Sequence, residues 1–378
     1  MHVEVSPDRF RWARERARMT SAALAKKFPK LEQWESGELH PTLKQLESFA
    51  KATYAPIGFF FLPEPPVEAV PIPDFRTVRD AGVARPSPDL LDTLYICQQR
   101  QEWYREFART EGESALGFVG SLTTETPVDA AADAIRTTLH FSVEERQAMG
   151  SWSEALRGFI EQADAAGILV MVSGVVGNNN RRKLSPDEFR GFALSDPFAP
   201  LVFINGADSK AAQMFTLAHE IAHLWLGATA LSDIDPRSTP TGRVEQWCNQ
   251  VAAELLVPSA ALRASFRGGI VGDEVSRLAR QFKVSTLVVL RRLRDLGVLA
   301  GEQYWQAYEA ELGRLRQVSK SSGGDFYLTQ GARLSKRFAR AMVVSAFEGR
   351  STFTEAFRLL GFSKVTTLRE LGQSLGVA

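Results

Sequence analysis

Two histidines and a glutamate occur as His219-Glu220-x-x-His223, within an apolar run from Ser209 to Leu226 that contains no Pro or Gly. The run predicts a helix, on which residues four apart lie on one face with roughly 5–6 Å between their Cβ atoms. His219 and His223 can therefore bind one metal ion from the same side. Imidazole ligands favour zinc, whose filled d-shell tolerates the open tetrahedral geometry of a catalytic site.

Glu220 directly follows the first of these histidines. In metalloproteases with this spacing, the glutamate is the general base that activates the attacking water. The alternative is that both histidines lie on a helix surface and that Glu220 is a solvated charge. The chain contains only five histidines, so two of them framing a glutamate at this spacing favours the metal interpretation.

A third ligand is needed, and the stretch Val244–Pro258 supplies candidates. Here H-E-x-x-H is followed by E-x-x-x-N, which resembles the gluzincin arrangement. That resemblance implies Glu245 as the third ligand and Asn249 as the residue that holds a ligand histidine, with less effect on its basicity than an aspartate. Glu254, nine positions after Glu245 and on another face, is the alternative ligand. Glu245 has a further alternative, as a carboxylate stabilised by the helix dipole.

The composition is that of an ordinary globular protein with two or three domains in 378 residues. Cys97 and Cys248 are the only cysteines, so we expect no disulfide framework, and a reducing compartment fits. The first residues lack the apolar core of a secretory signal, and the apolar runs are too short to span a bilayer. We therefore expect a cytoplasmic protein without membrane segments.

The net charge of +1 conceals an uneven distribution. Residues 1–55 carry +3, residues 56–255 carry −11 and residues 256–378 carry +9. Basic ends around an acidic centre predict non-specific contact of the terminal regions with DNA. Packing of the basic helices against the acidic middle is the alternative.

Residues 1–62 are predicted to form short helices, and the pattern W-E-x-G-E-x-x-P-T-L from Trp34 to Leu43 resembles the second half of an Xre-type helix-turn-helix module. Pro29 shortens the recognition helix where base contacts are normally made. Lys26, Lys27 and Lys30 could still contact phosphates, which position a protein but carry no sequence information.

We interpret the Pro-rich residues 63–88 as a stiff linker and residues 89–258 as a helical and metallopeptidase-like domain. Residues 259–378 are predicted to be helical, and L-A-x-x-F-x-V-S from Leu278 to Ser285 suggests a second helix-turn-helix, a substrate-docking helix pair or a core-packing helix pair. Three apolar runs, at residues 168–173, 191–194 and 201–205, predict the strands of one small sheet. The last strand leads into the metal helix, where such a strand could pair with a peptide substrate.

The predicted fold class is α+β and mostly helical: a zincin-like domain with a three-stranded sheet, flanked by N-terminal helix-turn-helix-like and C-terminal helical domains.

The combination of motifs resembles the ImmA/IrrE family of metallopeptidases. It comprises the Xre-like module, Asp74-Phe75-Arg76 in the Pro-rich linker, Phe215 to His223, and Glu245 with Asn249 to Pro258. The resemblance implies zinc ligands at His219, His223 and Glu245 and a general base at Glu220. It also implies a protein substrate, an Xre-type repressor, whose cleavage relieves transcriptional repression in a stress response or in mobile-element control.

Two functions are compatible with these residues. The first is a zinc endopeptidase that cleaves a regulatory protein. The second is a non-hydrolytic DNA- or protein-binding regulator, similar to an antitoxin, in which the metal only stabilises the fold. The presence of Glu220 favours the first, because a structural metal site needs no base beside its ligand.

Overall fold

The computed structural model of the chain describes residues 2–74, 86–232, 242–268, 271–318 and 333–377. Its helices are α1 Pro7–Arg16, α2 Ser21–Ala25, α3 Leu31–Ser36, α4 Leu43–Ala52, a 3₁₀ helix Ile57–Phe61, α5 Pro88–Thr110, α6 Val128–Leu139, α7 Val143–Gln147, α8 Trp152–Ala165, α9 Lys210–Trp225, α10 Arg243–Leu256, α11 Ser259–Ser265, α12 Val271–Phe282, α13 Thr286–Asp295, α14 Gly301–Val318, α15 Lys336–Phe347, α16 Phe353–Leu360 and α17 Val365–Ser374. Its strands are β1 Leu169–Ser173, β2 Gly191–Leu194, β3 Leu201–Asn205 and β4 Ala230–Ser232. The fold class is α+β and mostly helical.

The chain divides into two compact units, and the first contains the described residues within Met1–Pro71 and Val78–Leu94. Its core is aromatic: the Phe49 ring lies 5.5 Å from that of Phe10, 5.2 Å from that of Phe28 and 6.2 Å from that of Trp34. Burial of such rings contributes more than area alone, because edge-to-face pairs add about 0.5–1.5 kcal/mol each. The helices α2 and α3 have only five and six residues. The helix-turn-helix interpretation of residues 1–62 stays a prediction.

The second unit contains the described residues within Ile72–Thr77 and Tyr95–Ala378. It includes a mixed sheet in the order β1-β3-β2-β4, with β1 parallel to β3 and with β2 antiparallel to both β3 and β4. The prediction of three strands was wrong in number. Strand β4 lies in a stretch that is polar overall, and its three residues are too short to show a period-two pattern.

Helix α9 lies against this sheet and is enclosed by α8, α10 and α13. It ends where Gly227 adopts a φ of 68°, a backbone conformation that glycine reaches at no steric cost. A Cβ at Gly227 would lie 3.0 Å from the Cα of Gly120, so the two backbones also approach closely there. This close approach fixes the point at which the chain leaves α9.

The α12–α13 pair belongs to the core of the second unit. Leu287, Val288, Val289, Leu290 and Leu293 of α13 are all buried. A helix that reads DNA in the major groove needs exposed residues near its N-terminus, so this burial supports the core-packing interpretation of Leu278–Ser285. The C-terminal helices pack on the same unit, where Arg100 on α5 donates to the Leu359 carbonyl at 2.9 Å.

Several predicted features fall partly outside the described residues: the linker at 75–85, including Phe75 and Arg76, and the loop after β4 at 233–241. Within the described part of the chain, no helix combines the length and the apolar character that crossing a membrane requires.

Candidate metal centre

The side chains with metal-binding potential project from two adjacent helices. Helix α9 begins at the N-cap Ser209, whose hydroxyl accepts from the Ala212 N–H at 3.2 Å, and it continues for 16 residues. His219 and His223 lie one turn apart on α9 and are 0% exposed. Helix α10 packs along α9 and carries Glu245 in its first turn. The structure thus brings together the three residues proposed as ligands, although Glu245 lies 22 positions after His223 along the chain.

The three side chains converge on a single point. The Nε2 atoms of His219 and His223 lie 3.0 Å apart. Glu245 places Oε2 3.2 Å from Nε2 of His219 and Oε1 3.0 Å from Nε2 of His223. Zinc–nitrogen distances of about 2.0–2.1 Å in a tetrahedron imply ligand atoms about 3.3 Å apart, so the spacing fits one shared ion.

The electrostatics of the cluster agree with this donor set. Burial lowers the pKa of His219 and so favours the neutral, ligating imidazole. For Glu245, burial opposes ionisation, but the contacts with His219 and His223 outweigh it and hold the pKa at about 2. The cluster therefore presents two imidazoles and a carboxylate, which is a donor set that zinc accepts.

Glu220 lies on the same helix and is 0% exposed. Burial, followed by the charge of Glu245, raises the pKa of Glu220 well above its ordinary value, and the Ser232 hydroxyl offsets only part of this. Both Glu220 carboxylate oxygens are buried without a hydrogen bond of ordinary geometry to any described residue. Among the described residues no Lys or Arg pairs with either Glu220 or Glu245. Two such buried carboxylates are costly, and a divalent ion would balance their charge. The residues present therefore fit a resident metal ion.

Glu254, the alternative third ligand, does not belong to the cluster that the described residues form. Its Oε1 accepts from the Ser259 N–H at 3.0 Å, and its Oε2 forms an ion pair with Arg292. Arg292 in turn donates from Nε to the Val257 carbonyl at 2.9 Å. Glu254 therefore stabilises the end of α10 instead of facing the histidines.

The amide oxygen of Asn249 accepts from Nη2 of Arg291 at 3.3 Å, a residue 42 positions further along the chain. The gluzincin resemblance implied that Asn249 holds a ligand histidine, and the hydrogen bond that the structure gives it is to Arg291 instead. The Arg291 guanidinium also lies over the Phe215 ring at 4.4 Å from its centroid. Phe215 is one turn before His219, and Asn249 is one turn after Glu245. Arg291 thus links the two ligand helices from α13.

We expect Arg291→Met to loosen this link while filling a similar volume. A partly buried cation–π contact and one hydrogen bond from a charged donor together contribute about 2 kcal/mol. The variant should unfold at lower urea concentration and bind zinc several-fold more weakly in competition with a chelator. Arg263→Met, at an exposed position on α11, is the matched control. Unchanged zinc affinity in Arg291→Met would show that the link does not position the ligands.

Two residues that the sequence did not single out also lie at the centre. The Ser232 hydroxyl on β4 lies 3.5 Å from Nε2 of His223. Gly191 on β2 is required by close packing, since a Cβ there would lie 2.6 Å from Cγ2 of Thr216 and 3.1 Å from Oε1 of Glu220. Neither residue carries a motif. Strand β2 with Gly191 packs on α9, and the pairing of β4 with β2 places Ser232 opposite Gly191.

The edge of the sheet nearest the centre differs from the one expected. Strand β3 was predicted to be the strand that could pair with a peptide substrate, but it is paired on both sides, by β1 and β2. The outer strand on the β2 side of the sheet is β4. Its Leu231 N–H donates to the Pro73 carbonyl at 2.9 Å, and Asp74 pairs with Leu231 in parallel. The linker segment Ile72–Asp74 thus lies along the strand that carries Ser232.

Comparison with known protein families gives matches for two parts of the chain. Residues 334–374 match a domain of unknown function, DUF8813. No match was found among curated proteins or among solved structures. Residues 163–294, which include the whole sheet and the helices that carry His219, His223 and Glu245, match the peptidase M78 model, described as an IrrE N-terminal-like domain. This match supports the resemblance to the ImmA/IrrE family and indicates a metallopeptidase of that type.

Proposed function

We propose that this protein is a zinc-dependent endopeptidase that cleaves a regulatory protein, an Xre-type transcriptional repressor. The observation that carries the proposal is the convergence of His219, His223 and Glu245 within 4.8 Å, with Glu220 on the same helix. The match of residues 163–294 supports the peptidase class. The repressor substrate rests on the family resemblance, and with it the proposed role in stress response or mobile-element control.

In this proposal His219, His223 and Glu245 hold the ion. When bound, zinc supplies Lewis acidity that brings the pKa of a water from 15.7 to about 7. Glu220 takes the proton from the attacking water and later donates it to the amine nitrogen that leaves when the peptide bond breaks. A positive charge in the cluster favours the ionised form of Glu220 that this step needs.

We place the substrate along β4, the outer strand that carries Ser232. An extended peptide can add to a sheet edge through main-chain hydrogen bonds. The outward N–H of Leu231 already donates to the Pro73 carbonyl. A peptide that uses the same N–H must therefore displace the segment Ile72–Asp74 from β4.

The second function is a regulator in which the metal stabilises the fold without hydrolysis. The observation that favours it is burial, since both histidines and Glu220 are 0% exposed and Glu245 is 7% exposed. Catalytic zinc sites keep one open position for water, whereas structural sites are closed.

Cleavage mapping separates the two functions. The protein is co-expressed with Xre-type repressors encoded near its own gene, and new termini are identified by mass spectrometry. The proposal predicts one dominant cut that a chelator suppresses and that added zinc restores. Intact repressors in the presence of the fully zinc-loaded protein would favour the non-hydrolytic regulator.

A further inference from the structure

A cavity of about 300 Å³ lies in the second unit, between the start of α8, the turn from α12 to α13, and α14. None of its lining residues is a ligand of the candidate metal centre. The volume is at the lower end of the range that small-molecule sites occupy. We call it the basic cavity, because Arg280, Lys283 and Arg314 line it.

The charge of the basic cavity is not balanced within its wall. No Asp or Glu is among its lining residues in the described part of the chain. Arg314 pairs with Glu311 outside the wall at 2.6 Å. Arg280 and Lys283 have no ion-pair partner among the described residues. Unlike Arg314, these two cations remain available to a negatively charged ligand.

Two helices also begin at the wall of the basic cavity. Ser151 is the N-cap of α8 and Ser285 is the N-cap of α13, and both line the cavity. The first amides of a helix lack intrahelical partners and carry partial positive charge, which favours an anion. Ser285 is only 3% exposed, and its hydroxyl oxygen accepts from Val288 N–H at 3.3 Å. No described group accepts the proton of that hydroxyl, so it can donate to a ligand.

Lys283 occupies a strained backbone position at the end of α12. Its φ is 51°, and the following amide, of Val284, bonds back to the Ala279 carbonyl at 3.1 Å. Glycine is the usual residue in this left-handed helix-end conformation, and other residues occupy it at a cost of about 1–2 kcal/mol. Strained residues of this kind cluster at functional sites. Here the strained backbone places the unpaired cation of Lys283 in the cavity wall.

We propose that the basic cavity binds the phosphate group of a small phosphorylated molecule. Arg280 and Lys283 supply the charge, the amides that begin α8 and α13 and the Ser285 hydroxyl supply hydrogen bonds, and Trp152 supplies an aromatic surface in the same wall. The concave shape and limited volume favour a small ligand over a nucleic acid backbone. The proposal is independent of metal binding and of peptidase activity.

Calorimetric titration at constant ionic strength tests the proposal, with inorganic phosphate and adenosine monophosphate as probes and chloride as the reference anion. We expect both probes to bind. Lys283→Gly should weaken phosphate binding about tenfold, the effect of one charge-assisted hydrogen bond. Because glycine relieves the backbone strain, the melting temperature should stay equal or rise, so weaker binding in this variant cannot be attributed to unfolding.

Arg280→Gln should weaken phosphate binding to a similar degree. Arg263→Gln, which removes the same charge at an exposed position outside the cavity, should leave it unchanged. The proposal is overturned if the wild type binds neither probe, or if Lys283→Gly and Arg280→Gln bind as the wild type does. It is also overturned if duplex DNA binds with an affinity that Lys283→Gly reduces while inorganic phosphate does not bind, since the surface would then recognise a polymer.

Discussion

Replacement of Glu220 by glutamine is expected to reduce repressor cleavage by a factor on the order of 10²–10⁴, the usual contribution of general base catalysis. Glutamine keeps the shape and the hydrogen-bonding capacity of glutamate but cannot accept a proton from water. The measurement is the initial rate of cleavage of a purified repressor at saturating zinc. Glu302→Gln, at an exposed position on α14, makes the same chemical change outside the centre and should retain the wild-type rate.

Zinc content and melting temperature should not fall in Glu220→Gln. The side chain is not among the three that converge on the ion, and glutamine forms helix about as well as glutamate. Replacing a buried carboxylate whose pKa is raised well above its ordinary value also removes a desolvation cost. Cleavage at the wild-type rate would disprove the peptidase mechanism. Loss of zinc would instead assign Glu220 a structural role.

The comparison of Glu245→Ala with Glu254→Ala should give opposite results. Glu245→Ala removes a ligand, so its zinc content after dialysis should fall several-fold, as it should in His223→Ala. Glu254→Ala should retain zinc but lose stability. Removing the Glu254 carboxylate leaves the buried Arg292 guanidinium without its ion-pair partner. Breaking a buried ion pair in this way costs about 3–5 kcal/mol of unfolding free energy.

Metal analysis and urea denaturation of the metal-free proteins provide the two readouts. In the metal-free form, Glu245→Ala should be destabilised less than Glu254→Ala, because only the second change leaves a buried guanidinium without its ion-pair partner. Full zinc in Glu245→Ala together with zinc loss in Glu254→Ala would reverse the assignment of the third ligand.

The local elements around the candidate centre could be predicted from the sequence because their signals lie within a few residues. The apolar run from Ser209 to Leu226 indicated a helix, and α9 extends from Lys210 to Trp225. His219 and His223 lie on one face of α9, because residues four positions apart are about one helical turn apart. Strands β2 and β3 have the predicted limits, and β1 begins one residue later. The backbone conformation of these short segments follows from local propensity and periodicity.

Only the tertiary structure decided which partners these elements meet. The sequence offered Glu245 and Glu254 as carboxylates of one helix, and the packing of α10 along α9 turns the first toward the histidines while Arg292 on α13 holds the second. Asn249 meets Arg291 for the same reason, across 42 residues of chain. The order of the strands in the sheet could not be predicted either, because the three residues of β4 carry no pattern and their pairing with β2 forms only in the folded chain. Contacts between residues distant in sequence depend on shape and burial in the folded chain, so no local sequence pattern predicts them.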